Sequence, residues 1–139
     1  MSKPFDVAAA VAAELNAGSG SGFRATTKLV PVSELKDLDV LTITVVPATA
    51  VTERLTRTAK TTDVTVDIGV QQKVAGTSPD ECKGPADACE VVLDFLWGRA
   101  LSTMSAAHFV SASIDPVCDH ELLQKLLVFS SVVKVTYRV

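Results

Sequence analysis

Alternating apolar and polar positions mark five segments of this chain as strands. The most regular is DVTVDIGVQQKV at residues 63–74, in which every second residue is aliphatic: Val64, Val66, Ile68 and Val70. Strict alternation with β-branched residues on the apolar side predicts a half-buried strand. Weaker forms of the same pattern predict strands at residues 23–31, 40–47, 108–115 and 126–139. Pro47 ends the second of these strands or marks it as an edge strand.

Two other segments have the spacing of amphipathic helices. Residues 4–16 begin with Pro4, which suits a first helical turn, and carry one apolar stripe: Phe5, Ala8, Val11, Ala12 and Leu15. Residues 86–101 follow Pro85 and turn a second apolar set inward: Ala88, Val91, Val92, Phe95 and Leu96. Asp87, Glu90 and Asp94 are predicted to face outward on this helix. Asp119 is a candidate cap for a short helical turn that ends at Leu123.

The order of these elements is one helix, three strands, one helix and two strands. Strands linked as hairpins, with helices on one face, predict an α+β sandwich of two layers. We therefore expect a four- to five-stranded, mostly antiparallel sheet with two helices packed on it, in a single domain spanning residues 1–139. Segments 40–47 and 63–74 should be neighbours in the sheet, and so should segments 108–115 and 126–139. Residues 16–22 are predicted to be a flexible joint, residues 33–39 a polar connection and residues 75–85 a loop.

Residues 48–62 form a polar, threonine-rich excursion between two predicted strands. The excursion is longer than a plain hairpin turn, and connections of this length usually have a function or stay mobile. We expect an extended arm that reaches a neighbouring molecule. Its charged residues are the candidate interface: Glu53, Arg54, Arg57 and Lys60.

Composition narrows the class of protein. The chain has 139 residues, of which 47% are hydrophobic and 21% charged, so it can form a core and is not expected to be disordered. Its net charge of -3 makes general binding to a nucleic-acid backbone a poor hypothesis. No apolar run approaches the roughly 18 residues that a membrane span needs. The alanine-rich run near the start is short and flanked by Asp6 and Glu14, so we do not expect a signal peptide.

No pattern in the sequence indicates a catalytic or cofactor site. Neither a phosphate-binding loop nor a dinucleotide fingerprint is present, and neither histidine lies in a glycine-flanked elbow. Cys118 and His120, with His108 and the pair Cys82 and Cys89, could be assembled into a zinc site, but paired ligand spacings are lacking. An odd number of cysteines suits a reducing compartment, and inert thiols are the preferred interpretation, although Cys82 and Cys89 could pair across a loop. We expect no enzyme activity, no metal and no cofactor.

Several segments together resemble small neck and tail-completion proteins of tailed bacteriophages, in particular tail terminators. The similarity begins with the helix AAAVAAELNAG and continues through FRATTKLVPVSELKDLDVLTITVVP at residues 23–47. The charged arm with Arg54 and Arg57 follows, and then the strand ending VDIGVQQKV. The IDP turn at residues 114–116 and the ending FSSVVKVTYRV complete it. The resemblance covers nearly the whole chain, and it rests on pattern over length because none of these pieces is a catalytic motif.

The resemblance implies a structural role in the virion. Such proteins form a ring, usually a homohexamer, at the head-proximal end of the tail tube, where they stop tube growth and join the tail to the neck. The implied partners are other copies of the chain, the major tail tube protein and a neck or stopper protein. DNA would pass through the ring without sequence-specific binding, and no membrane is involved. The implied location is the virion tail or neck, assembled in the host cytoplasm.

Two other functions remain open from the sequence. The chain could be a different neck component, such as a stopper or head-completion protein, which would differ in the proteins that flank its ring. It could instead be a small cytosolic binding module or enzyme, which would stay monomeric and hold a small molecule in a deep pocket. Trp97 does not decide between these classes, because the sequence allows it to be exposed at an interface or half-buried against the sheet.

Overall fold

The computed structural model describes residues 3–18, 25–27, 41–101, 104, 106–115 and 117–139. Within these ranges the chain forms three helices and five strands. The helices are α1 (Lys3–Gly18), α2 (Pro79–Leu96) and α3 (His120–Leu126). The strands are β1 (Ala25–Thr27), β2 (Thr42–Arg54), β3 (Lys60–Lys73), β4 (His108–Ile114) and β5 (Val128–Arg138). The predicted polar connection at residues 33–39 lies outside the described residues, as do most of the predicted joint and the ends of the first predicted strand.

The five strands make one mixed sheet in the order β1-β2-β3-β5-β4. β1 runs parallel to β2, and every other neighbouring pair is antiparallel. Both predicted strand pairings are therefore confirmed, and so is an α+β fold with a mostly antiparallel sheet. The third helix, α3, is longer than the single turn that the sequence indicated.

The core lies between one face of the sheet and the helices. On the central strand β3, the four aliphatic residues predicted to share a face are fully buried: Val64, Val66, Ile68 and Val70. The ladder aligns them with buried residues of β5, as in the pair formed by Ile68 and Val133. Helix α1 packs on β1, β2 and β3, whereas α2 packs on β3, β5 and β4. Each helix thus covers one lateral half of the same apolar surface.

Helix α1 has the predicted boundaries to within two residues, but its buried face is rotated slightly. The prediction that Phe5 belongs to the buried apolar stripe is wrong, because 53% of this residue is exposed. Val7 takes its place and is fully buried with Val11 and Leu15. The side chain of Asn16 then links the end of α1 to β1, since its Oδ1 accepts from the Ala25 N–H at 2.7 Å and its Nδ2 donates to the Ala25 carbonyl at 3.0 Å.

Helix α2 begins seven residues earlier than the predicted range of residues 86–101, and it ends five residues earlier, at Leu96. The predicted start at Pro85 and the predicted loop at residues 75–85 are wrong, because Pro79 occupies the first turn and Pro85 lies inside the helix. Pro79 fits a first turn as well as Pro85 does, and the earlier start adds Cys82 to the buried face. That face follows helical spacing: Cys82, Pro85, Ala88, Cys89, Val92 and Leu96. Val91, predicted to face inward, is 40% exposed.

Strand β2 continues past Pro47, so the prediction of an extended arm at residues 48–62 is wrong. The ladder with β3 shifts register between Pro47 and Thr49 and then runs on to the pair formed by Arg54 and Lys60. Pro47 lies at an edge of the described sheet, because the described part of β1 pairs with β2 at residues 43–45, and an edge position does not need the N–H that proline lacks. The sequence allowed this edge position, but it did not predict that the pairing would continue.

The cap predicted at Asp119 is confirmed. Its Oδ1 accepts hydrogen bonds from the N–H groups of Glu121 at 3.1 Å and Leu122 at 3.2 Å, which satisfies the first turn of α3. Leu127 was assigned to the last strand, but it ends α3 in the left-handed conformation with φ 52°. The last strand therefore begins at Val128, and both Val128 and Phe129 are buried.

The central position of β3 predicts which residues carry the stability of the fold. Ile68→Ala should lower the free energy of unfolding by about 2–5 kcal/mol, because it leaves a cavity between the sheet and the helices. Val51→Ala is the matched control: Val51 is 52% exposed, so its truncation should change the free energy by less than about 0.5 kcal/mol. Urea unfolding of both variants measures the difference, and equal losses would contradict this description of the core.

Candidate interaction surface

Strands β2 and β3 extend as a two-stranded hairpin beyond β5 and beyond the described part of β1. β5 pairs with β3 as far as the pair of Arg138 and Asp63, and the described part of β1 pairs with β2 at residues 43–45. Past Asp63, β2 and β3 pair with each other until Arg54 and Lys60. We call residues 53–60 the hairpin tip. No other described strand pairs with the tip, and the side chains of residues 53–60 are exposed.

The turn at the end of the hairpin is held by local hydrogen bonds. The N–H groups of Leu55 and Thr56 donate to the Ala59 carbonyl at 3.0 and 3.2 Å. The Ala59 N–H donates in return to Thr56 Oγ1 at 3.0 Å. These bonds satisfy the backbone of the turn without help from the body of the protein.

The four residues singled out in the sequence lie together on this tip, and all four are exposed. Arg54 Nε donates to the Thr56 carbonyl at 3.0 Å, which orients the guanidinium along the turn. Among the described residues, Glu53, Arg54, Arg57 and Lys60 form no ion pair. The tip therefore presents three cationic groups and one carboxylate, although the whole chain is acidic. Leu55, 67% exposed, adds an apolar side chain at its end.

A pair of opposite charges holds the base of the hairpin. Arg138 Nε and Nη2 donate to the two carboxylate oxygens of Asp63 at 2.8 and 3.2 Å. These hydrogen bonds lower the pKa of Asp63 and raise that of Arg138. Next to them, the Val139 N–H donates to the Thr62 carbonyl at 2.9 Å, and the hydroxyls of Thr62 and Thr52 are 3.0 Å apart. The residues of the Asp63–Arg138 pair are 75 positions apart, so no local sequence signal could have shown it.

A second exposed feature lies at the same end of the sheet. Trp97 directly follows α2 and is 61% exposed, with its ring 5.0 Å from that of Phe109. Phe109 in turn contacts the buried ring of Tyr137 edge-on at 6.1 Å. Because Phe109 and Tyr137 are paired one step from Arg138, this aromatic row adjoins the hairpin base. Of the two possibilities left open for Trp97, the structure supports the exposed one.

The residues considered for a metal site are distributed over the molecule. His108 begins β4 and Cys118 follows its other end, so the length of a strand separates them. Cys82 and Cys89 are buried, and all three cysteines are free, so the possible disulfide between Cys82 and Cys89 is absent. Burial raises the pKa of the Cys89 thiol, which favours its unreactive protonated form. Within the described ranges, no three His, Cys, Asp or Glu residues are grouped so that they could hold a metal ion.

A surface depression beside α3 offers little to a ligand. It is lined by Asp119, Glu121, Leu122, Lys125 and Leu126. Its polar groups are already in use, since Asp119 caps the helix and Lys125 Nζ donates to Glu121 Oε1 at 2.8 Å. At the hairpin tip, by contrast, Glu53, Arg57 and Lys60 are exposed and form no ion pair among the described residues, which makes the tip a stronger candidate than this depression for a functional surface.

Comparisons with known proteins leave the family open. No protein-family model matches the chain, and no curated protein gives a significant match. In the part of the chain that the structure covers, none of the helices has the length and apolar character required to cross a membrane.

The Asp63–Arg138 pair predicts a pH-dependent contribution to stability. Since contact with Arg138 lowers the pKa of Asp63 below 3.8, the ionised carboxylate stabilises the fold above that pH. The contribution is lost as the pH falls through the lowered pKa. Asp63→Asn should therefore lower the melting temperature at neutral pH, and the difference from wild type should narrow in acid.

Thermal melts from neutral pH down to about pH 2 measure this difference. Asp87→Asn is the control, because Asp87 is exposed on α2 and forms no ion pair among the described residues. A deficit for Asp63→Asn that persists unchanged at the lowest pH would contradict the assignment to the charge pair.

The exposed tip predicts that its charges matter for association and not for folding. Exposed charges contribute about 0–1 kcal/mol to their own fold, whereas truncating a desolvated charge pair at an interface costs roughly 2–5 kcal/mol. The double change Arg54→Ala with Arg57→Ala should leave the melting temperature almost unaltered and weaken self-association. Differential scanning fluorimetry and sedimentation velocity measure the two effects. Normal assembly would contradict an interface role, and a large loss of thermal stability would assign the tip to the core.

Proposed function

We propose that the chain is a virion structural protein, a ring subunit at the head-proximal end of a bacteriophage tail tube. In this role it ends tube growth and joins the tail to the neck, without catalysis and without a cofactor. The observation that carries the proposal is the projecting hairpin. Its tip is held by hydrogen bonds within its own turn, is exposed and presents charges that contribute little to the subunit's own stability.

The presence of two different lateral surfaces on the subunit supports a ring. A cyclic assembly uses heterologous contacts, so each subunit must present two different surfaces. The hairpin projects from β2, near one lateral edge of the sheet, whereas α2 and β4 form the other side. The choice of a phage tail rests on the resemblance of residues 23–47, 66–74 and 129–139 to tail terminators. The known partners of such proteins are the tube protein and a neck protein.

The location in the virion is part of the same proposal. The ring would lie between tail tube and neck after assembly in the host cytoplasm, with DNA passing through its centre. The weakly acidic charge of the chain suits such a passage, because a basic lumen would retain the DNA backbone.

The proposal predicts a defined defect when the chain is removed from its phage. Without a terminating ring, tubes should grow past their normal length and fail to join heads. Electron microscopy of particles made with and without the gene measures tube length and head attachment, and the gene supplied in trans is the control. Tubes of normal length that lack heads would indicate a stopper or head-completion protein instead. Normal particles would contradict a role in the virion.

A further inference from the structure

The outer face of α2 carries unpaired acidic side chains. We call this surface the outer face of α2. It consists of the exposed residues Asp80, Asp87, Glu90, Val91 and Asp94, with Lys83 beside them. At 3.6 residues per turn the four acids fall within about 80° of the helix circumference, and they span roughly 21 Å along its axis. None of them forms an ion pair among the described residues. The opposite face of the helix is buried against the sheet, so the acids point away from the core.

The hairpin tip has the complementary character. Arg54, Arg57 and Lys60 outnumber the single carboxylate of Glu53, so the tip carries a net positive charge. Each surface also has an exposed aliphatic residue among its charges: Leu55, 67% exposed, on the tip and Val91, 40% exposed, on the helix. An apolar centre rimmed by opposite charges is the usual composition of a specific protein interface.

The two surfaces lie on different lateral halves of one subunit. The tip ends the hairpin of β2 and β3, and β2 is the second strand from one edge. Helix α2 covers β5 and β4 towards the other edge. No ion pair joins the tip to α2 within the described chain. A contact between the tip of one copy and the α2 face of another joins two different surfaces, and a heterologous contact of this kind can close into a ring when it is repeated by rotation.

We propose that the hairpin tip of one subunit binds the outer face of α2 on a second copy of this chain. Arg54 and Arg57 meet the carboxylates of Glu90 and Asp94, and Leu55 packs beside Val91. The inference rests on the ring assembly proposed above and identifies which surfaces form it. Trp97 follows Asp94 by three residues, so the contact also alters the environment of the chain's single tryptophan.

Charge reversal on each surface tests the contact. The tip variant carries Arg54→Glu with Arg57→Glu, and the helix variant carries Glu90→Lys with Asp94→Lys. Each variant alone places like charges at every contact, so assembly should require at least a tenfold higher concentration. A 1:1 mixture restores opposite charges at both kinds of contact, because each variant's tip then meets the other variant's helix. Mixed rings should therefore form at the wild-type concentration with the two variants in equal numbers.

Native mass spectrometry of the mixture measures size and stoichiometry, and Trp97 emission reports the contact in solution. A control variant with Lys3→Glu and Lys73→Glu changes the net charge equally on exposed residues away from both surfaces, and it should assemble as wild type. Melting temperatures confirm that each variant folds. Wild-type assembly should also weaken at 1 M salt, where screening acts within about 3 Å.

The possible results distinguish a failure of this proposed contact from a failure of the proposed ring function. If wild type assembles and either reversal assembles equally well, the contact is wrong and ring formation stands. If both variants fold but do not assemble alone, and their mixture does not assemble either, the proposed contact is also wrong, because the reversed charges then disrupt assembly at some other contact. If wild type remains monomeric at all accessible concentrations, both the contact and the ring are contradicted.

Discussion

Burial of the apolar face of β3 is the constraint on which the rest of this structure depends. Four aliphatic side chains on this central strand are fully buried, and the neighbouring strands align their own apolar residues with them. A sheet with one apolar face is stable in water only when that face is covered, which α1 and α2 do from the two lateral halves. The opposite face can remain polar, and it carries cross-strand pairs such as the hydroxyls of Thr65 and Thr136, 2.9 Å apart.

The hairpin is the part of the sheet that this constraint does not explain. Past Asp63 no other described strand pairs with β2 or β3, yet the backbone pairing of these two strands continues to the tip. Isolated two-stranded hairpins are marginally stable in water, so the tip depends on its anchorage. That anchorage is the ladder below it, with the Asp63–Arg138 pair and the bond from Val139 to Thr62 at the point where the sheet ends. The body of the protein thus holds the hairpin tip in position, although the tip is not part of the hydrophobic core.

The acidic face of α2 is the counterpart of this surface. Its carboxylates are aligned because the helix must bury Cys82, Cys89, Val92 and Leu96 on the opposite side. The same helical spacing that fills the core therefore collects the acids into one stripe. A subunit with a basic projection on one side and an acidic helix on the other can associate head to tail, and such contacts form rings or filaments according to their rotation.

Local patterns in the sequence indicated the central parts of β2, β3, β4 and β5, the two antiparallel strand pairings and the Asp119 cap, because alternation and capping depend on neighbouring residues. They also placed Glu53, Arg54, Arg57 and Lys60 in one exposed segment. The start of α2 could not be decided locally, since Pro79 and Pro85 both suit a first turn and the choice depends on which residues meet the sheet. Likewise, only the tertiary structure turned the expected arm into a paired hairpin. Among the described residues, β1 pairs with β2 as far as residue 45 and β5 pairs with β3 as far as Asp63, so the length of hairpin beyond them depends on strands far away in the sequence.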